Sequence, residues 1–314
     1  MVTPNPGVTV PRIISLLPSA TEIVCALGAE KDLVGVSHEC DFPSTIEGRP
    51  ALTQARVRDD GTSLGIDRQV RGVVEEALSI YTVDHELLAR LRPDVIVTQD
   101  LCEVCAVSLE DVRAAVARIA DQNDVEIVSL SPTRLEHILS DVERVAVALG
   151  RKAEGETLLA NLRHRIAGIA ERSAQIETRP RVASLEWIDP VMLGGTWMPE
   201  VINIAGGVAV GVAAGDPAPT VTPNALASLA PDVVVVKACG FSIDRTMQER
   251  EAIEDKALGV LDPKVPVYVT DGNAFFNRPG PRIVESIEIM AAVTNPSHFE
   301  DFAERHADSI VRVR

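Results

Sequence analysis

Four cysteines stand where chemistry is possible. Cys102 and Cys105 form a C-x-x-C pair, a spacing that one turn can aim at a single metal ion or use as a cycling dithiol. Cys40 and Cys239 each follow an apolar run, as that pair does. Soft thiolates select zinc, copper(I) or an iron–sulfur cluster, so Cys40, Cys102, Cys105 and Cys239 are candidate ligands of one thiolate-bound metal. The competing reading is four unrelated small residues that are buried or line a pocket, since free cysteine is often buried. The fifth, Cys25, sits in the apolar segment TEIVCALG and reads as core.

His38, Glu39 and Asp41 flank Cys40 in the run SHECDF. An imidazole there could ligate the iron or cobalt of a macrocycle, or simply bond the backbone of its loop. Aromatics are only 3% of the chain, so their placement carries information. Trp187, Trp197, Phe275 and Phe276 lie beside expected strand-end loops, where they could stack on a flat ring or belong to the core. Arg278 and Arg282 could pair with ligand carboxylates or phosphate. Ser19 opens the first expected helix, where it or Thr21 is placed as the cap. The ligand-binding candidates are therefore Ser19, His38, Glu39, Cys40, Asp41, Trp187, Trp197, Phe276 and Arg278. The sequence has no phosphate-cradling glycine loop and no H-E-x-x-H. Gly206-Gly207 follows an expected helix rather than opening one, unlike a dinucleotide fingerprint.

The elements that must position these residues follow an alternating rhythm. Apolar runs at 12–17, 33–36, 94–98 and 126–130 read as strands, with helices over 21–27 and 86–91. Proline at 93 stops the latter. The stretch 132–178 is purely helical, with apolar residues at Leu135, Ile138, Leu139, Val142, Val145, Ala146 and Leu149. The rhythm then restarts, with strands at 181–186, 232–236 and 265–270 and a helix at 198–204. A weak internal repeat pairs LLARLRPDVIVTQD (87–100) with ALASLAPDVVVVKACG (225–240). The fold class expected is α/β, with parallel sheets in two Rossmann-like lobes. The boundaries expected are a lobe over 1–134, a linking helix over 135–178 and a lobe over 179–314. Residues 55–80 read as a flap or insertion. In open α/β sheets ligands sit beyond the carboxyl ends of strands, and 37–42, 99–105, 186–190, 237–241 and 271–280 all leave such ends.

The segment RIISLLPSATEIVCALGAEKDLVGVS (12–37) resembles the opening of the class III substrate-binding proteins, the cobalamin and iron-siderophore receptors of ABC importers. SHECDFP (37–43), LRPDVIV (91–97), EWIDPVMLGG (186–195), VINIAGG (201–207), PDVVVV (231–236) and NRPGPRIVESI (277–287) continue the likeness in order. It covers nearly the whole chain and is nearest to the cobalamin branch. The resemblance implies two lobes bridged by a long helix, with a corrinoid or related metal chelate in the cleft between them and an ABC permease as partner. The cleft cysteines depart from the cobalamin receptors' pattern. Two other readings stay open: a cysteine-ligated metal or iron–sulfur protein or enzyme, and an importer receptor proper. A binding protein is expected rather than an enzyme.

Composition bounds the partners. The 314 residues include 46 acidic and 30 basic side chains, a net charge of −16. Such a surface repels phosphate backbones and anionic membranes, so no nucleic-acid partner is expected. No apolar run reaches the roughly 18 residues of a membrane helix, so no membrane insertion is expected. The first twelve residues lack the basic and apolar regions of an export signal. The expectation is therefore a cytoplasmic protein whose cysteines are thiols or metal ligands rather than disulfides.

Overall fold

The computed structural model describes residues 11–57, 61–75, 81–100, 112–113, 116 and 125–314. The described residues form two compact units. Unit 1 takes those within Met1–Arg56, Glu76–Ser131 and Asp141–Leu158, and unit 2 those within Val57–Glu75, Pro132–Ser140 and Leu159–Arg314.

In unit 1, β1 (Ile13–Ser15), β2 (Leu33–Val36), β5 (Val95–Gln99) and β6 (Glu126–Leu130) form a sheet in the order β2-β1-β5-β6. All three pairings are parallel. Strands this apolar are buried on both faces, and Ile13, Ile14, Ile96 and Val97 have no exposed surface. The chain leaves β1 towards β2 on one side and returns to β5 on the other, so its carboxyl edge is a topological switch point. The first helix, Pro18–Ala26, starts with proline at its first position, and Leu17 is its cap residue. No side chain caps it, because the Thr21 hydroxyl is spent on Ser15 instead; neither Ser19 nor Thr21 has the capping role expected. Helix His85–Leu91 is capped by Asp84, which accepts from Leu87 N–H, and ends at Arg92 in the left-handed region, just before Pro93.

A short antiparallel pair, β3 (Thr53–Ala55) and β4 (Tyr81–Val83), completes unit 1. Three-residue strands are too short for a period-2 pattern to register. The chain between them does not stay with this pair. Helix Ser63–Glu75 packs Ile66 into the core of unit 2, beside Phe241, Ile253 and Val269. Its first turn is tied down by Glu249, which is buried. Glu249 accepts from Ser63 N–H and the Ser63 hydroxyl, both at 2.8 Å. Arg245 bonds the same carboxylate and the Gly61 carbonyl. Glu249→Ala is expected to cost about 1–2 kcal/mol, the usual loss of a helix cap. It should raise amide exchange within 63–75 selectively; an increase spread evenly over unit 2 would contradict this local role.

The 132–178 stretch holds two helices, Leu135–Ala148 and Lys152–Ser173. Gly150 separates them at φ +65, a conformation that glycine adopts at little cost. The two then approach closely: a Cβ on Gly155 would lie 2.5 Å from that of Ala146.

In unit 2, β7 (Arg181–Trp187), β10 (Val233–Val236) and β11 (Val267–Thr270) are parallel neighbours. Antiparallel β8 (Met192–Leu193) and β12 (Ile310–Arg312) extend them in the order β12-β11-β10-β7-β8, and β9 (Val208–Ala209) also pairs with β7. Helix Ile283–Thr294 is buried at every position but Glu285. It carries Glu288, which bonds Arg165, Arg305 and His306 at 2.8–3.0 Å.

Candidate functional site

The carboxyl edge of unit 1 is lined by hydroxyls. Ser15 ends β1 and is fully buried; its hydroxyl donates to the Leu17 carbonyl and accepts from Thr21 at 2.8 Å. Cys40 Sγ lies 3.1 Å from the same Thr21 oxygen. After β2 the chain turns at once, with Cys40 N–H donating to the Ser37 carbonyl. Thr53, the first residue of β3, holds this turn. Its Oγ1 accepts from His38 N–H at 3.0 Å, and lies 2.6 Å from His38 Nδ1 and 2.8 Å from the Ser37 hydroxyl. Tyr81, the first residue of β4, donates its hydroxyl to Glu39 Oε1 at 2.7 Å, and its ring centroid is 5.5 Å from that of His38. The β3–β4 pair thus presents Thr53 and Tyr81 to the 37–41 loop. His38, Glu39 and Asp41 are exposed, and Cys40 is half-buried.

Unit 1 therefore brings His38, Glu39 and Cys40 together at one edge. Ser19 lies inside the first helix, buried, with no partner for its hydroxyl. Cys25 is on the same helix. Burial, and then the charge of Glu30, pushes its thiol up to about 12, so it stays protonated and unreactive.

The carboxyl edge of unit 2 is built around a charge pair. Glu186 is the penultimate residue of β7, Lys237 follows β10 directly, and Asn277 lies in the loop after β11. Lys237 has no exposed surface. Its Nζ is 3.2 Å from Glu186 Oε2 and 3.2 Å from Asn277 Oδ1. Asn277 Nδ2 donates to the carbonyls of Lys237 and Gly272, which fixes the orientation of the amide. Gly195 N–H donates to the same Glu186 oxygen at 3.3 Å. Both Gly272 and Gly194 are places where backbone and cluster meet without room for a Cβ, which would lie 2.1 Å from the Ala238 carbonyl oxygen and 2.4 Å from Ser184 Oγ respectively.

The aromatic candidates divide. Trp187 is half-buried beside Phe241, ring centroids 5.2 Å apart, and Arg245 stacks on the other ring at 4.2 Å. The Trp187 indole N–H is buried without an acceptor. Trp197 is 6% exposed, Phe276 0% and Arg278 6%. Trp197 donates to the Phe276 carbonyl, and Arg278 donates to Asn273 Oδ1. These two rings and the guanidinium are enclosed within unit 2. Loop residues next to a strand end alternate between interior and surface over one or two positions, and composition does not say which way each turns.

Cys239 is exposed and its N–H donates to the Glu186 carbonyl. It belongs to unit 2 and Cys40 to unit 1, while Cys102 and Cys105 lie outside the described residues. Among the described residues no three of histidine, cysteine, aspartate or glutamate come together to hold a metal ion. Nor, among them, is any helix long and apolar enough to cross a membrane.

Sequence reasoning passed over Glu186, Lys237, Asn277, Thr53 and Tyr81. Lysine directly after four valines was the available signal, since a charge at the end of a fully buried strand has to find a partner.

Each of the two α/β units carries polar groups at the carboxyl edge of its parallel strands, the edge at which α/β sheets take small ligands. The chain belongs to the periplasmic binding protein family, whose profile matches residues 13–258. It is 22% identical over 302 residues to an uncharacterized ABC transporter substrate-binding lipoprotein of Bacillus subtilis, covering 92% of this chain and 82% of that protein. It is 22% identical over 305 residues to a vitamin B12-binding protein of Yersinia pestis, covering 93% and 90%. Among solved structures, a periplasmic heme-binding protein of Pseudomonas aeruginosa superposes with a TM-score of 0.68 at 22% identity, covering 91% of this chain and 93% of that one.

Proposed function

We propose that this protein is the receptor of an ABC importer for a tetrapyrrole-type metal chelate, a corrinoid or a haem, bound at the strand-end loops, with His38 as an axial ligand of the metal. The relatives named for vitamin B12 and heme support the ligand class, and the family supports a permease partner.

The observation that carries this reading is the tether on His38. A threonine hydroxyl has one proton and two lone pairs. Thr53 Oγ1 accepts from His38 N–H. If it also accepts from Nδ1–H, its own proton goes to Ser37, which is within reach at 2.8 Å. Every hydrogen bond is then satisfied, and Nε2 of this exposed imidazole is the bare nitrogen. Fixing one ring nitrogen by a hydrogen bond so that the other ligates is the usual way a protein orients a histidine ligand.

The test is an absorbance titration of purified protein with hydroxocobalamin, dicyanocobinamide and haemin. One of these should bind with a stoichiometric spectral shift. His38→Ala should remove the histidine-ligated spectrum and weaken binding at least tenfold, about 1.4 kcal/mol or more. Absence of any shift with all three compounds would overturn the tetrapyrrole reading. An unchanged spectrum in His38→Ala would overturn the axial-ligand assignment.

A further inference from the structure

We infer that Glu186 is a ligand-facing acceptor that favours tetrapyrroles edged with hydrogen-bond donors over those edged with carboxylates, with Lys237 as its positioning residue; this rests on the tetrapyrrole reading above. The pair sits at the carboxyl edge of adjacent parallel strands β7 and β10, where ligands of α/β sheets are taken.

The two halves of the pair differ sharply in exposure. The Lys237 side chain is 0% exposed and that of Glu186 is 23% exposed. A molecule arriving here meets a carboxylate and never the ammonium. Oε2 is occupied by Lys237 Nζ and Gly195 N–H, which leaves Oε1 as the acceptor on offer. Lys237 cannot swing out to follow a ligand anion. Asn277 holds its Nζ, and the backbone it springs from is packed against Gly272, where a Cβ would lie 2.7 Å from the Lys237 carbonyl carbon and oxygen. The carboxylate is thus locked in place by a buried counter-charge, the arrangement that makes a charged group tolerable at a partly dry site.

The chemistry on the ligand side follows. The rim of a corrinoid carries primary amides, whose N–H groups can donate to Oε1. The rim of a haem carries two propionates, and a carboxylate at this position would meet like charge with no compensating proton. The same logic separates a corrinoid from its own side-chain acid, in which one amide is replaced by a carboxylate. Between two such ligands the ring, the metal and the axial chemistry are identical, so their affinity ratio reports the rim alone.

The experiment is a pair of absorbance titrations at pH 7.5, with dicyanocobinamide and with its monocarboxylic acid derivatives, on the full chain and on Glu186→Gln; haemin is a third ligand. The wild-type protein should prefer the all-amide compound by at least tenfold. Glu186→Gln places an amide N–H where the carboxylate was, and should shrink that preference at least tenfold by gaining affinity for the acids. Its melting temperature should fall, since buried Lys237 loses its counter-charge and keeps only the glutamine and Asn277 oxygens as acceptors, so both proteins are titrated well below the melting temperature of the variant. Lys237→Met, which frees the carboxylate from its anchor, should lower the preference without inverting it. Should that variant fail to fold, the glutamine variant alone decides the matter. An affinity ratio that is the same in wild type and Glu186→Gln would overturn the inference and leave the tetrapyrrole reading intact, as would wild-type protein that binds haemin in preference to cobinamide. No binding of any of the three ligands by the wild type would overturn both.

Discussion

A Glu288→Gln variant is expected to unfold with about 2–3 kcal/mol less free energy than the wild type at pH 7, and with no deficit near pH 2. Burial pushes the Glu288 carboxyl up, but hydrogen bonds from His306, Arg165 and Arg305 outweigh it and hold the group at about 2, against an ordinary 4.5. That difference corresponds to about 3 kcal/mol. Arg305 is 53% exposed, so solvent screening trims the figure. The direction in pH follows from the depressed value. The unfolded chain takes up this proton near 4.5 and the folded protein only near 2, so the stabilisation is complete above about 4.5 and is lost as pH falls through the interval to 2. Glutamine cannot carry the charge, and its NH2 group would face three cationic or N–H donors. Urea unfolding of both proteins across pH 2–7 checks this. Parallel stability curves that never converge would show that the carboxylate charge is not what Glu288 contributes.

Phe276→Ala is expected to cost about 3–5 kcal/mol of stability, the range for emptying a fully buried phenylalanine site. The ring has no exposed surface, and the residue is held at both ends: its N–H donates to Ser286 Oγ and its carbonyl accepts from Trp197 Nε1, each at 2.9 Å. Its backbone sits at φ +64, so the neighbours that enforce this conformation cannot relax freely into the cavity. Denaturant unfolding of the variant, alongside a ligand titration, separates two roles. Wild-type stability with weakened ligand binding would put Phe276 on the binding surface, as the sequence leads one to expect.

That contrast shows what the sequence could and could not convey. The segments DVIVT and DVVVV are legible as buried strands because they are continuous β-branched runs after a proline stop, and both lie at the centre of their sheets. The alternation of strand and helix, and the interruption by 132–178, follow from periodicity alone. What a strand-end residue faces does not. Phe276 and Arg278 are two positions apart and both point inward, while Cys239 is exposed two positions after fully buried Lys237. Such choices are made by partners far away in sequence, as Asn277 is for Lys237, and no local pattern encodes them. The residue types of the 37–41 loop point to chemistry, yet nothing in the sequence reveals its scaffold. Thr53 and Tyr81 come from strands of three residues that leave no periodic trace. Pairing between Ser63 and Glu249 spans 186 positions, and the flap reading of 55–80 said nothing of where that helix would dock.

The same span has a consequence for how the chain is made. Helix Ser63–Glu75 leaves the ribosome long before Glu249 and the residues around Phe241 that receive Ile66. At translation rates of about 5–20 residues per second the wait is roughly 10–40 s, during which an amphipathic helix has an unpaired first turn and an uncovered apolar side. Throughout that time the apolar side of this segment lacks the surface that later receives it. Codon choice or growth temperature that slows elongation between 75 and 249 lengthens the exposure, so the soluble yield of this protein should depend on synthesis speed in that window more than on the final stability of either unit.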